Sequence, residues 1–141
     1  MDTKFSTAVH MLILISESES PMSSEEIAVS VGTNPSYIRK VAGLLKQAGL
    51  IESRRGVAGV SLLPRKEDVA LLDIYRAVEE KEQISLFDLH QNPNDACIVG
   101  RHIRPVLGGV FREIEEKTEQ ALRERTLSQV IEVMRKREES K

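Results

Sequence analysis

The stretch Asn34-Pro35-Ser36-Tyr37-Ile38-Arg39-Lys40-Val41-Ala42-Gly43-Leu44-Leu45-Lys46-Gln47-Ala48-Gly49 decides the fold. Pro35 suits the first position of a helix, where a backbone N–H has no partner in any case. Asn34 or Thr33 can cap the turn it opens. Ile38, Val41, Leu44, Leu45 and Ala48 recur at steps of three and four, so one face is apolar and meets a core. Ser36, Tyr37, Arg39 and Lys40 fall largely on the other face, near the N-terminal end. Gly49 ends the helix, because it takes the left-handed conformation at less cost than other residues.

The flanks make this reading specific. Ser23-Ser24-Glu25-Glu26 fits a capping box with Ser23 at the cap and Glu26 three residues on. The short helix it opens turns Ile27, Ala28 and Val31 inward, and Val31-Gly32-Thr33 is a tight turn. Two helices joined by three or four residues containing glycine form a helix-turn-helix. Beyond Gly49, Leu50–Ser53 reads as a strand, Arg54–Gly59 as a glycine-punctuated basic turn and Val60–Leu63 as a second strand. Such a wing would bring Arg54 and Arg55 to phosphates or a minor groove while the helix enters the major groove. The DNA-contact candidates are therefore Asn34, Ser36, Tyr37, Arg39, Lys40, Arg54 and Arg55, with Ser36 or Arg39 closest to base edges.

Charge agrees with pattern. Between Asn34 and Lys66 stand seven basic residues (Arg39, Lys40, Lys46, Arg54, Arg55, Arg65, Lys66) against Glu52 alone, a net +6. The whole chain is −2, so the remainder carries −8. Phosphate contacts supply much of the affinity for DNA, and a few base contacts supply the choice of sequence. Basic residues that merely solubilise a face have no reason to coincide with helix, turn, helix and wing.

These features, with several further motifs, make the chain similar to the Rrf2-type bacterial transcription regulators. The motifs are Leu44-Leu45-Lys46-Gln47-Ala48-Gly49-Leu50-Ile51, Arg55-Gly56-Val57-Ala58-Gly59, Leu71-Leu72-Asp73-Ile74-Tyr75-Arg76-Ala77-Val78-Glu79 and Cys97-Ile98-Val99-Gly100. The resemblance spans nearly the whole chain. It implies a homodimer on a palindromic operator, usually a repressor and often acting on its own promoter. Well-known members sense through a 2Fe–2S cluster held by three closely spaced cysteines. This chain has one cysteine, so no cluster and no other cofactor is expected.

Composition sets outer bounds. At 141 residues and 40% apolar, the chain has room for one core and a dimer interface. Aromatics are 4% and tryptophan is absent, which suits a helical, aliphatic core with only a small sheet. The expected class is mainly α with a two-stranded wing and a long dimerisation helix. A single cysteine fits a reducing cytoplasm. No apolar run reaches the ~18–20 residues of a membrane span, and no signal peptide is evident.

Elsewhere, Thr3–Ser16 forms a first helix whose apolar face packs beneath the recognition helix, with His10 in packing or a hydrogen bond. Asp68, in the charged loop Arg65–Asp68, is expected to cap a helix carrying Leu71, Ile74, Tyr75 and Val78. The residues from 84 to 95 are irregular. His90, Cys97 and His102 are too widely spaced for a zinc or iron–sulfur site, so no metal is expected. Cys97 opens a helix, where the dipole and Arg101 one turn on favour the thiolate. It is the redox-sensing candidate, set against a plain packing role.

A long helix then runs from about Gly100 to Arg125, with Pro105 in its early turns. About twenty-five residues at ~1.5 Å each make roughly 38 Å. Ile103, Leu107, Val110, Phe111 and Ile114 form the expected dimer stripe. Glu113, Glu115, Glu116, Lys117, Glu119, Arg123 and Glu124 are assigned to the solvated face opposite. Thr126 and Gln129 make another capping box. The final helix turns Leu127, Val130, Ile131 and Met134 inward, and Arg135 onward is expected to fray. The organisation is thus 1–82, the DNA-binding part, and 83–141, a sensing loop, dimerisation helix and C-terminal helix, in one compact unit.

No nucleophile stands beside a base and no carboxylates pair in a pocket pattern, so an enzyme is not expected. The alternatives are a regulator controlled by a small ligand or a protein partner, or a pure protein-interaction module.

Overall fold

Side-chain caps set three of the helix starts in the computed structural model, which describes residues 2–140. Helix α1 covers Lys4–Glu17, α2 Ser24–Val31 and α3 Pro35–Gln47. Strands β1 (Ile51–Glu52) and β2 (Ser61–Leu62) follow, then α4 (Leu71–Glu79), α5 (Ile98–Arg123) and α6 (Leu127–Glu139). At α2 the Ser23 hydroxyl accepts from the Glu26 N–H at 3.1 Å, and the Glu26 carboxylate accepts from the Ser23 N–H at 3.1 Å. At α3 the Asn34 carbonyl oxygen accepts from the Tyr37 N–H at 2.8 Å, with Pro35 in the first turn. At α6 Thr126 and Gln129 repeat the reciprocal box.

Helix α4 departs from expectation. Asp68 does not cap it, because Lys66–Asp68 forms one turn of 3-10 helix and Ala70 takes the cap position. The Asp73 carboxylate satisfies the Ala70 N–H at 2.9 Å instead. The wing strands are also shorter than predicted, two residues each, in the register Ile51↔Leu62 and Glu52↔Ser61. What steadies so small a sheet is a third extended residue: Met22 and Val60 exchange both backbone hydrogen bonds, at 3.1 and 2.9 Å.

The core lies where α1, α2, α3 and α4 meet. Ala8, Met11, Leu12, Ile38, Val41, Leu45, Ile74 and Val78 have no exposed surface, and Ile27 and Ile51 have almost none. Burying such side chains contributes roughly 1.5–3 kcal/mol each before entropy is counted. Phe5 of α1 meets Tyr75 of α4 edge-on, with ring centroids 5.6 Å apart.

The C-terminal helix belongs to the same core. Leu127 and Ile131 are buried within it, and the chain entering α6 pairs with the chain entering α4. The Leu71 N–H donates to the Arg125 carbonyl and the Leu127 N–H to the Val69 carbonyl, each at 2.8 Å. The expected fraying from Arg135 is corrected here. The helix continues to Glu139, and Arg135 donates through Nε and Nη2 to both carboxylate oxygens of Glu17, at 3.0 and 2.8 Å. This two-point ion pair reaches back from α6 to α1 at the start of the segment expected to fray.

Helix α5 is 26 residues long and begins at Ile98, with Cys97 at its cap as read and two residues before the approximate start at Gly100. Its polar face is the larger correction. Glu115 and Glu119 are its two buried residues, each 8% exposed, rather than members of a solvated stripe. Along this face runs an irregular strap, residues 81–97, whose Ile84 is 2% exposed. The Ile84 N–H donates to Glu119 at 2.9 Å and the Leu86 N–H to Glu115 at 2.7 Å. The Ile84 N–H and then the Arg112 guanidinium hold the Glu119 carboxyl below its ordinary range, against the opposing pull of burial.

Candidate nucleic-acid interface

The apolar stripe of α3 decides which of its residues face outward. With Ile38, Val41, Ala42 and Leu45 in the core, the residues between them point away from it. Asn34, Ser36, Arg39 and Lys40 are exposed together at the N-terminal half of the helix, with Gly43 and Lys46 further along. Tyr37 is half-buried and packs against the core, so at most its edge is presented. Asn34 has its carbonyl oxygen committed to the cap, which leaves its amide N–H groups as donors.

Arg39 is not free. It donates to Glu25 of α2 at 3.4 Å, a pairing fourteen residues apart that no local pattern announces. The wing arginines differ from one another: Arg54 reaches Glu52 at 3.5 Å, whereas no acidic partner of Arg55 is found among the described residues. The same is true of Lys40 and Lys46. The net +6 of the sequence window needs refining, because Glu67 and Asp68 lie just beyond it. Both pair with Arg65, at 3.5 and 4.0 Å. Lys40, Lys46, Arg55 and the half-buried Lys66 therefore carry the positive charge without an acidic partner among the described residues, with Arg39 and Arg54 held by weak exposed pairs that phosphates can displace. Glycines keep the wing tip narrow, Gly56 at φ +80° and Gly59 at φ +97°.

The remaining candidates fall elsewhere. Cys97 is exposed at the N-cap of α5. Its thiol is lowered from the ordinary range by the backbone N–H of Gly100 and then that of Val99. Arg101 does not contribute as expected, since its Nε donates to the Asp95 carbonyl at 3.1 Å. His90 and His102 are exposed. His10 is exposed too, its Nε2 lying 3.0 Å from the Ser30 hydroxyl, a hydrogen bond rather than packing. Of the dimer-stripe candidates, Val110 and Ile114 are 45% and 42% exposed, as is Val106 at 59%, while Ile103, Leu107 and Phe111 are half-buried. Phe111 packs on Phe87 of the chain's own strap, centroids 4.9 Å apart. No helix among the described residues is long and apolar enough to cross a membrane.

Comparison with known proteins fits this geometry. The family model described as Rrf2, iron-dependent transcriptional regulator, matches residues 1–133. The chain is 40% identical over 131 residues to YwnA of Bacillus subtilis (strain 168), provisionally assigned as an HTH-type transcriptional regulator. That alignment covers 93% of this chain and 96% of YwnA. Among solved structures, a provisionally assigned DNA-binding protein is 38% identical with a TM-score of 0.74, covering 91% of this chain and 98% of its own. The fold is shared with CymR, the global cysteine regulator of B. subtilis, at a TM-score of 0.69 and 22% identity, covering 94% and 95% of the two chains. T. potens IscR gives 0.71 and 23%, covering 95% and 87%. The relatives are transcription regulators, not enzymes. A winged helix-turn-helix of this form, matched by the family model over nearly its whole length, makes this chain a member of the Rrf2 family of transcription regulators.

Proposed function

We propose that the protein is a cytoplasmic homodimeric repressor that reads a palindromic operator with α3 and grips the flanking backbone with its wing. The observation that carries this reading is the shared exposure of Ser36, Arg39 and Lys40 on α3, beside a wing whose Arg55 has no acidic partner among the described residues. The exposed Val106, Val110 and Ile114 support α5 as the surface where two copies meet. Two-fold symmetry would then place the half-sites about one turn of DNA apart.

Base-reading and phosphate-gripping residues are separable by experiment. Arg39→Ala is expected to cost about 1–3 kcal/mol on the operator and to relax its choice of sequence. Arg55→Ala is expected to weaken operator and random DNA alike and to lower the salt slope by about one. Titrations of both duplexes across a salt series check this. Equal losses on both duplexes from both variants would remove the division of labour. Salt-independent binding would point instead to a protein-interaction module.

The family description names iron, and the residues present do not fit an iron–sulfur cluster. Cys97 is the only thiol in the chain. Among the described residues no three His, Cys, Asp or Glu side chains gather as a metal site. We therefore propose a regulator without a cluster, in which Cys97 carries the signal. An exposed thiol at a helix start, held toward the thiolate by Gly100 and Val99 N–H groups, supports this. Peroxide would oxidise it to a sulfenic acid, with water as the second product. Peroxide-treated protein is expected to release promoter DNA while Cys97→Ser stays bound. If treated and untreated forms of both proteins bind alike, Cys97 is not the sensor and the signal is a small ligand or a protein partner; release of both by peroxide would place the oxidation at another residue.

A further inference from the structure

Glu115 and Glu119 are buried acids on a helix whose other carboxylates are exposed, and their neighbours explain why they are there. The Glu119 Oε1 accepts from the Ile84 N–H at 2.9 Å and from Arg112 Nη2 at 3.1 Å. Arg112 Nη1 donates to the Ile84 carbonyl at 3.3 Å, so both backbone groups of Ile84 are held by side chains of α5. The Glu115 Oε2 accepts from the N–H groups of Leu86 and Phe87, at 2.7 and 3.4 Å. Burying a carboxylate costs several kcal/mol unless charge and hydrogen bonds compensate, and here both do. Further toward the start of α5, Arg104 donates to the His90 carbonyl and Arg101 to that of Asp95. Strap numbers rise as helix numbers fall, from 84 against 119 to 95 against 101. One face of α5 thus grips the main chain of a segment that has no regular structure of its own.

The other end of the clasp is fixed to the DNA-reading part. Arg76 of α4 donates from Nε to the Glu82 carbonyl at 2.9 Å, two residues before Ile84. Helix α4 packs directly on α3 and α1. The path from recognition helix to α5 is therefore α3, α4, Arg76, Glu82, Ile84, Glu119, with direct α4–α5 packing beside it. We infer that Arg112, Glu115 and Glu119 are positioning residues that hold α5 at a fixed angle to the DNA-reading part, and so set the separation of the two recognition helices in the dimer. The inference rests on the dimeric reading proposed above. It needs little motion to matter: a tilt of ~10° carried over ~20 Å displaces a recognition helix by ~3.5 Å, about one base-pair step.

The test uses the full chain and the duplex it protects upstream of its own coding sequence, with one base pair added or removed between half-sites, beside a random duplex. The parent is expected to be a dimer that loses about tenfold or more when the spacing changes, a penalty of at least ~1.4 kcal/mol. Glu119→Gln and Arg112→Ala are expected to remain dimers and to bind random duplex within about twofold of the parent. Their preference for the natural spacing should flatten by about tenfold, and Arg112→Lys should restore part of it. Should Arg112→Ala fail to fold, spin labels at Gln47→Cys in a Cys97→Ser background report the α3-to-α3 distance directly. The Glu119→Gln protein is then expected to show a broader distribution than its parent. Folded variant dimers with the parent's sharp spacing preference and narrow distance overturn the inference alone. A monomeric or spacing-indifferent parent overturns the dimeric reading, and the inference with it.

Discussion

A Gly59→Ala protein is expected to unfold several degrees below its parent and to lose the wing's share of DNA affinity. The residue sits at φ +97°, outside the range that side chains adopt comfortably. A β-carbon there would stand 2.8 Å from the carbonyl carbon and oxygen of Met22 and 2.9 Å from its nitrogen. Those atoms are backbone, and they belong to the Met22–Val60 bridge that anchors β2. They cannot move aside without breaking it. Conformational strain alone is worth about 1–3 kcal/mol, and the clash adds to it. Gly56→Ala is the matched comparison, since Gly56 also has a positive φ but open space around it. Urea unfolding of the two variants, with titration of random duplex, checks the claim. A Gly59→Ala midpoint no lower than that of Gly56→Ala would show that the bridge yields and that the wing is not braced in this way.

The second large effect concerns the floor beneath the recognition helix. Leu45→Ala is expected to cost roughly 2–5 kcal/mol, because Leu45 is fully buried and packed helices around it can collapse only in part. Against a total stability of about 5–15 kcal/mol, that is enough to populate the unfolded chain visibly at moderate temperature. Its neighbour Lys46 is exposed and has no acidic partner among the described residues. Lys46→Ala is expected to leave the unfolding midpoint in place and to reduce the salt dependence of DNA binding. The pair separates packing from electrostatics on adjacent residues of one helix. Equilibrium denaturation and duplex titration on each variant are the measurements. A loss below ~1 kcal/mol for Leu45→Ala would mean that α3 is not seated as described.

Features set by neighbours a few residues apart were legible in the sequence. A hydroxyl three positions before an acid or amide, an amide just before a proline, and an apolar residue every third or fourth place each act within one or two turns. Ser23 with Glu26, Asn34 before Pro35, and Thr126 with Gln129 therefore cap as read. Gly49 does take a positive φ after α3. The same locality made the winged helix-turn-helix readable as a whole, since helix, turn, helix and wing follow one another within forty residues.

Tertiary structure alone decided what lies between distant residues. Glu17 meets Arg135 across 118 positions, in a segment expected to be loose that is helical to Glu139. Met22 pairs with Val60 and braces a sheet too short to stand on local propensity. Glu25 takes hold of Arg39, one of the residues proposed to read DNA. Glu115 and Glu119 show the reason most plainly. By composition they belong to a solvated stripe, and they are buried because the strap brings unpartnered N–H groups to that face. A carboxylate is placed by the donors that reach it, and which donors arrive is settled only when the chain folds back on itself.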